Sequence, residues 1–197
     1  MKQAVAAHPN TSWRIVMIHQ DIYGSGLDHS DSDGIVLRTQ LTPLMDKYDV
    51  DVVLQGHDHT YSRSYLLKAD SKTHAKYDFY DWDNVKDEAG NVFPYNDATY
   101  QAENNCYTIA NTMSGSVTNP DGTLYMEANS STGSKYYELI PSQQDYIAAR
   151  NQNWNPTYSV IRVNPSTFTI DTYEIAGGQL QKIDQTFSLK KTDVARR

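Results

Sequence analysis

Residues Trp13 to Ser64 read WRIVMIHQDIYGSGLDHSDSDGIVLRTQLTPLMDKYDVDVVLQGHDHTYSRS, and their patterning decides the fold. The first six, Trp13 to Ile18, form an apolar, β-branched run expected of a strand covered on both faces. It ends at His19. A loop dense in Gly, Ser and Asp follows, and any of Asp31, Ser32 or Asp33 can cap a helix on which Leu37, Leu41, Leu44, Met45 and Tyr48 recur at helical spacing. Pro43 is expected to kink that helix or end its first part. A second buried strand, Val50 to Leu54, runs into Gln55-Gly56-His57-Asp58-His59. Strand, helix, strand is the pattern of a parallel βαβ unit, which puts both histidine sites at the carboxyl ends of neighbouring strands, where open α/β sheets carry their chemistry.

Outward from this stretch, KQAVAAHP reads as a short helix ending at Pro9, and Tyr61 to Leu67 as a strand. Residues 68 to 104 alternate acidic and aromatic side chains without clear period and read as a surface insertion. Strands are expected again at Tyr107 to Asn111 and Leu124 to Ala128, separated by a turn at Asn119 to Gly122. A short helix is expected at Ser142 to Arg150. The end reads as an antiparallel meander of Ser159 to Val163, Thr167 to Ile175 and Leu180 to Leu189, with turns at Asn164-Pro165 and Gly177-Gly178.

Composition narrows the function. Among 197 residues, 17 Lys and Arg face 24 Asp and Glu, a net charge of −7 without a basic stripe, so nucleic acid is a poor partner. No apolar run approaches the roughly 18 residues needed to cross a bilayer, and the chain is expected to be soluble. The single cysteine, Cys106, cannot close a bridge within the chain and has no basic neighbours to activate it. A surface rich in Asn, Ser, Thr and Tyr fits an exported bacterial protein. No Gly-x-Ser-x-Gly elbow and no phosphate-binding Gly-x-x-x-x-Gly-Lys loop occurs. Asp78, Asp81 and Asp83 invite a calcium site, but the spacing lacks the Gly and distal Glu of an EF-hand loop.

The chemistry concentrates in His19, His57 and His59. Imidazole nitrogen suits zinc, iron or manganese, and His-x-His on an irregular turn can address one ion or two adjacent ones. Gly56 is expected to let the backbone turn sharply there. Any one of these histidines alone reads as a hydrogen-bonded structural residue; three of them ending two buried strands read as a metal site.

WRIVMIHQDIYGSG and VDVVLQGHDHTYSRSY resemble conserved blocks of the calcineurin-like metallophosphoesterases, within them the purple acid phosphatase-like branch. The resemblance implies the carboxyl-terminal half of a two-sheet αββα sandwich, a parallel βαβ unit followed by a mostly antiparallel meander, spanning residues 1 to 197. It implies a dinuclear metal centre of iron, zinc or manganese in the full enzyme, with His19 and His57 on one ion and His59 on the other. Its reaction is hydrolysis of a phosphoric monoester. His29 is placed like the family's general acid, or is an exposed loop histidine; Tyr23, Tyr61 and Arg63 either line the pocket or serve packing. Ser62 stands where plant enzymes of the family usually carry Glu.

The family's first three blocks should precede residue 1. No Gly-Asp pair occurs, and the only Gly-Asn, Gly90-Asn91, continues with Val92. Three imidazoles do not saturate two metals. The chain alone is therefore expected to be inactive, to hold at most one weakly bound divalent ion, and to meet the missing half of its domain or a second copy of itself through an exposed sheet edge. A phosphodiesterase or nucleotidase of the same superfamily, and a non-catalytic β-rich cell-surface binding module, are the alternatives.

Overall fold

The structure is a computed structural model that describes residues 1–79, 84–94 and 98–192. In chain order its elements are α1 (Lys2–Ala7), β1 (Ile15–Met17), α2 (Asp33–Lys47), β2 (Val52–Gln55), β3 (Tyr61–Ala69), β4 (Tyr77–Phe79), β5 (Asn84–Asp87), β6 (Val92–Pro94) and α3 (Ala98–Glu103). There follow β7 (Tyr107–Asn111), β8 (Ser116–Thr118), β9 (Thr123–Glu127), β10 (Ile147–Asn151), β11 (Thr157–Asn164), β12 (Thr167–Ala176), β13 (Gln179–Lys182) and β14 (Phe187–Lys190).

These build an α/β architecture of a helix layer on two sheets. The first sheet has the order β1-β2-β9-β3-β10, with β7 also on β3; the second runs β11-β12-β14-β8, with β13 on β12. The first three strands are parallel, as the βαβ pattern requires. Val52, Leu66, Leu124 and Met126 interdigitate with Val117, Phe168, Ile170, Phe187 and Leu189 of the second sheet in one dry core. On the opposite face Val53, Leu67, Tyr125 and Ile147 pack under Met45, Leu37 and Leu41 of α2. Fully burying one such side chain is worth about 1.5–3 kcal/mol, so these two layers fix where the strand ends lie.

Several expectations are corrected. The strand at Trp13 to Ile18 is not covered on both faces: Val16 and Ile18 pack toward α2, while Ile15 and Met17 stay 39% and 78% exposed. β1 is an edge strand, and an apolar run cannot reveal whether its second cover is present. Ser142 to Arg150 is no helix, because β3 offers an open ladder edge to which β10 pairs antiparallel. Leu180 to Leu189 divides into β13 and β14, and β8, unread in the sequence, pairs parallel with β14. α2 runs through Pro43 to Lys47. Its N-cap is Ser32, whose hydroxyl donates to the Asp28 carbonyl at 2.7 Å rather than capping the helix. Between residues 68 and 104 a small sheet of β4, β5 and β6 forms, and Tyr77, Val85 and Tyr100 of this segment bury against Ile35 and Val36 of α2. Asp81 and Asp83 lie outside the described residues.

Candidate metal centre

β1 and β2 run in register, Ile15 beside Val52 and Met17 beside Leu54. The pairing continues past the strands: the Ile18 amide donates to the Leu54 carbonyl at 3.0 Å, and the Gly56 amide to the His19 carbonyl at 3.1 Å. Two loops are thereby delivered side by side, and residues 38 positions apart in sequence meet. Nδ1 of His57 lies 3.2 Å from Nε2 of His19. Two nitrogens each about 2.1 Å from one ion, at a tetrahedral or octahedral angle, lie about 3.0–3.4 Å apart. The pair has the span of two ligands on a single metal.

The backbone stress falls elsewhere than expected. Gly56 has no left-handed conformation; His57 at φ 83° and His59 at φ 49° carry it instead. A non-glycine residue held there costs of order 1–3 kcal/mol, a cost found where surrounding structure dictates the geometry of a site. A Cβ on Gly56 would stand 3.4 Å from the His19 carbonyl oxygen, an ordinary contact, so nothing in this structure requires glycine there.

His59 stands beside this pair with its Nδ1 hydrogen donated to the Lys135 carbonyl at 3.0 Å. A carbonyl only accepts, so the tautomer is set and the lone pair sits on Nε2. That arrangement, one ring nitrogen tied to a carbonyl and the other left to coordinate, orients metal-ligating histidines generally. Among the described residues, however, His59 shares no group of three ligand atoms within 4.8 Å; His57 does, with His29 and Asp33. His29 packs edge-on against His57, ring centroids 4.4 Å apart, and against Tyr137 at 4.8 Å. Its Nδ1 lies 3.9 Å from Asp33 Oδ1.

Burial holds the imidazolium of His57 below its usual range, with the neighbouring His29 next in effect. The neutral, metal-binding form is favoured. Burial raises Asp33, against which His29 pulls downward. Asp33, read in the sequence only as a candidate cap, and Tyr137 escaped the reading of the site; Asp33, one turn after His29, had a spacing signal, whereas Tyr137 comes from a distant loop.

The other expected site residues are placed inside. Tyr23 is fully buried, its hydroxyl donating to the Asn105 carbonyl at 2.7 Å amid Tyr107, Tyr125 and Tyr146. Tyr61 and Arg63, each 1% exposed, face the second sheet, where the Tyr61 hydroxyl and Arg63 Nε both donate to Asp184 Oδ2 at 2.6 and 2.7 Å. In this structure the three residues pack and pair; they do not line the histidine cleft.

With two sheets, a covering helix and histidines at parallel strand ends, the fold is a layered α/β sandwich carrying a rim of imidazoles. No family model matches the chain. Over 56 residues, 28% of this chain and 10% of the relative, it is 38% identical to an uncharacterized protein of Mycobacterium tuberculosis. Over 54 residues, 27% of this chain and 11% of the relative, it is 43% identical to Fe(3+)-Zn(2+) purple acid phosphatase 12 of Arabidopsis thaliana. Purple acid phosphatase PPD1 from yellow lupin (Lupinus luteus) seeds superposes with a TM-score of 0.53 at 14% identity, over 91% of this chain and 25% of that one. The chain has a purple acid phosphatase-like fold, spans about a quarter of that structure, and matches about a tenth of the curated relatives' length. Among the described residues no helix is long and apolar enough to cross a membrane.

Proposed function

We propose that this chain is the carboxyl-terminal part of a metal-dependent phosphomonoesterase of purple acid phosphatase type, exported from a bacterial cell. One observation carries the reading: two imidazole nitrogens 3.2 Å apart at adjacent parallel strand ends, with a third histidine ring, His29, packed on His57. His19 and His57 would hold one divalent ion, and His59 would offer Nε2 to a second. When bound, such ions lower the pKa of water and polarise a phosphoryl oxygen. The chain's own residues do the rest. Lys135 holds the His59 ring in place through its carbonyl. His29, braced between Tyr137 and His57 and oriented by Asp33, holds a proton for the leaving-group oxygen, work that suits an imidazole near neutral pH.

The donors here are too few for two ions, so the remaining ligands belong to the other part of the same domain. Ile15 and Met17, open on the edge strand β1, are the seam on which that part packs. Isothermal titration should find one zinc per chain, weakened at least tenfold by His57→Ala. The full-length protein should hydrolyse p-nitrophenyl phosphate faster than its bis-ester, while this chain alone should not turn over. A preference for the diester would move the reading to a phosphodiesterase. Unchanged metal content in His57→Ala and His59→Ala would leave a β-rich binding module instead.

A further inference from the structure

Beneath the histidine rim lies a second cluster, made wholly of oxygen. Asp21 follows His19 by two residues, Asp58 separates His57 from His59, and Glu127 ends β9, the parallel neighbour of β2. Their carboxylates each bring an oxygen within 4.8 Å of the other two, and the residues are only 3%, 0% and 0% exposed. Oxygens sharing one calcium at about 2.4 Å lie no more than about 4.8 Å apart, a condition these three carboxylates meet.

Charge compensation of the cluster is indirect, Arg38 acting on Asp21 through space without bonding to it. Among the described residues no ion pair includes Asp21, Asp58 or Glu127; the buried cation beside them, Arg38, donates to the carbonyls of Ile22 and Ser30 and to the Tyr146 hydroxyl. Neutral donors cover part of the surface. Ser30 Oγ lies within reach of Asp21 Oδ2 and Asp58 Oδ2 and its one hydrogen serves one of them at a time, the Gly26 amide serves Asp58 Oδ2 at 3.1 Å, Gln55 Nε2 serves Asp21, and the Asp58 amide serves Glu127 Oε1 at 2.9 Å. Asp58 Oδ1 and Glu127 Oε2 remain buried without a hydrogen-bond partner, as does Ser62 Oγ. Ser62 pairs directly across from Glu127, so those two side chains share a face of the sheet.

The loop over the cluster is shaped to it. A Cβ on Gly24 would lie 2.6 Å from Asp21 Oδ1, and one on Gly26 2.5 Å from Asp58 Oδ2. Only glycine lets the chain close on the carboxylates so tightly. Buried carboxylates without a directly bonded cation are costly when ionised.

We propose that Asp21, Asp58 and Glu127 form a structural site for a hard divalent cation of calcium size, separate from the histidine rim. The all-oxygen donor set selects calcium over zinc. Magnesium keeps several waters, which side chains this deeply buried do not readily admit. The proposal does not rest on the phosphatase reading.

The test is thermal unfolding of chelator-treated protein titrated separately with calcium, magnesium and zinc. At calcium about one hundred times Kd, wild type should rise roughly 5–10 °C. Glu127→Gln, near-isosteric and away from the histidine loops, should lose that rise. His19→Ala/His57→Ala should keep it while losing the zinc response. No calcium shift in wild type, an equal shift in Glu127→Gln, or loss in the histidine double variant alone would overturn the proposal. Should Glu127→Gln not fold, tyrosine-sensitised terbium luminescence of wild type decides. Saturation at one ion per chain, displaced by calcium and not by zinc, supports the site; emission that does not saturate refutes it.

Discussion

Between β11 and β12 eight residue pairs, Thr157 with Glu174 through Asn164 with Thr167, follow one another without a slip. β3, in the other sheet, has a register shift in its pairing with each of its three partners, β7, β9 and β10. The contrast extends to side chains. Asp171 on β12 accepts from Arg162, Lys182 and Thr186, a fully answered carboxylate. The first sheet holds Asp58, Glu127 and Ser62 with unanswered atoms, and its rim holds two histidines with left-handed backbone. One sheet follows the local rules of stability, and the other breaks them where chemistry would sit. Such violations are expected at functional sites and are tolerated because regular structure elsewhere stabilises them.

The contrast can be broken at the shared core. Phe168→Ala, at a fully buried position between the sheets, should cost about 3–5 kcal/mol by urea denaturation. Unfolding should take the histidine rim with it; zinc affinity retained after the second sheet melts would show that the sheets fold independently. Next is the tie between them. Asp184→Asn leaves the Arg63 guanidinium buried without its anion and should cost about 3 kcal/mol, much of it recovered by adding Arg63→Met. A double-mutant cycle with no recovery would mean that the pair matters for shape alone.

Smaller effects sharpen the comparison by sign. His57→Gly should relieve its positive φ and stabilise the fold by about 1 kcal/mol while weakening zinc at least tenfold. Destabilisation instead would show that the histidine rim is relaxed. Asp171→Asn should cost about 1 kcal/mol at neutral pH. Hydrogen bonds from Lys182 and Thr186 hold the Asp171 carboxyl at about 2, below its ordinary 3.8. Its contribution is therefore complete above about pH 4 and lost as pH falls toward 2. Thermal melts across that window should be flatter in the variant than in wild type.

Much of the first sheet was legible because strand, helix and histidine positions are local patterns. Val52 to Gln55 ends in the Gly-His-Asp-His stretch because β-branched residues stop there, and that is written in order along the chain. Ser142 to Arg150 misled because its helical propensity is overridden: Tyr146 and Ile147 are drawn into the core beneath α2, and β3 supplies the hydrogen bonds. Tyr61 and Arg63 read in the sequence either as pocket lining or as packing, until Asp184, more than 120 positions away, captures both.

By itself the sequence determined where strands end in imidazole, because side-chain period and β-branching act over a few residues. Only the tertiary structure decided that His19 and His57 meet, that His59 turns to the Lys135 carbonyl, and that three buried carboxylates from separate strand ends come within 4.8 Å of one another. Those relations join residues up to 106 positions apart, Asp21 to Glu127, and they come from the packing of α2 and two sheets about a common core. No local pattern encodes such a distance.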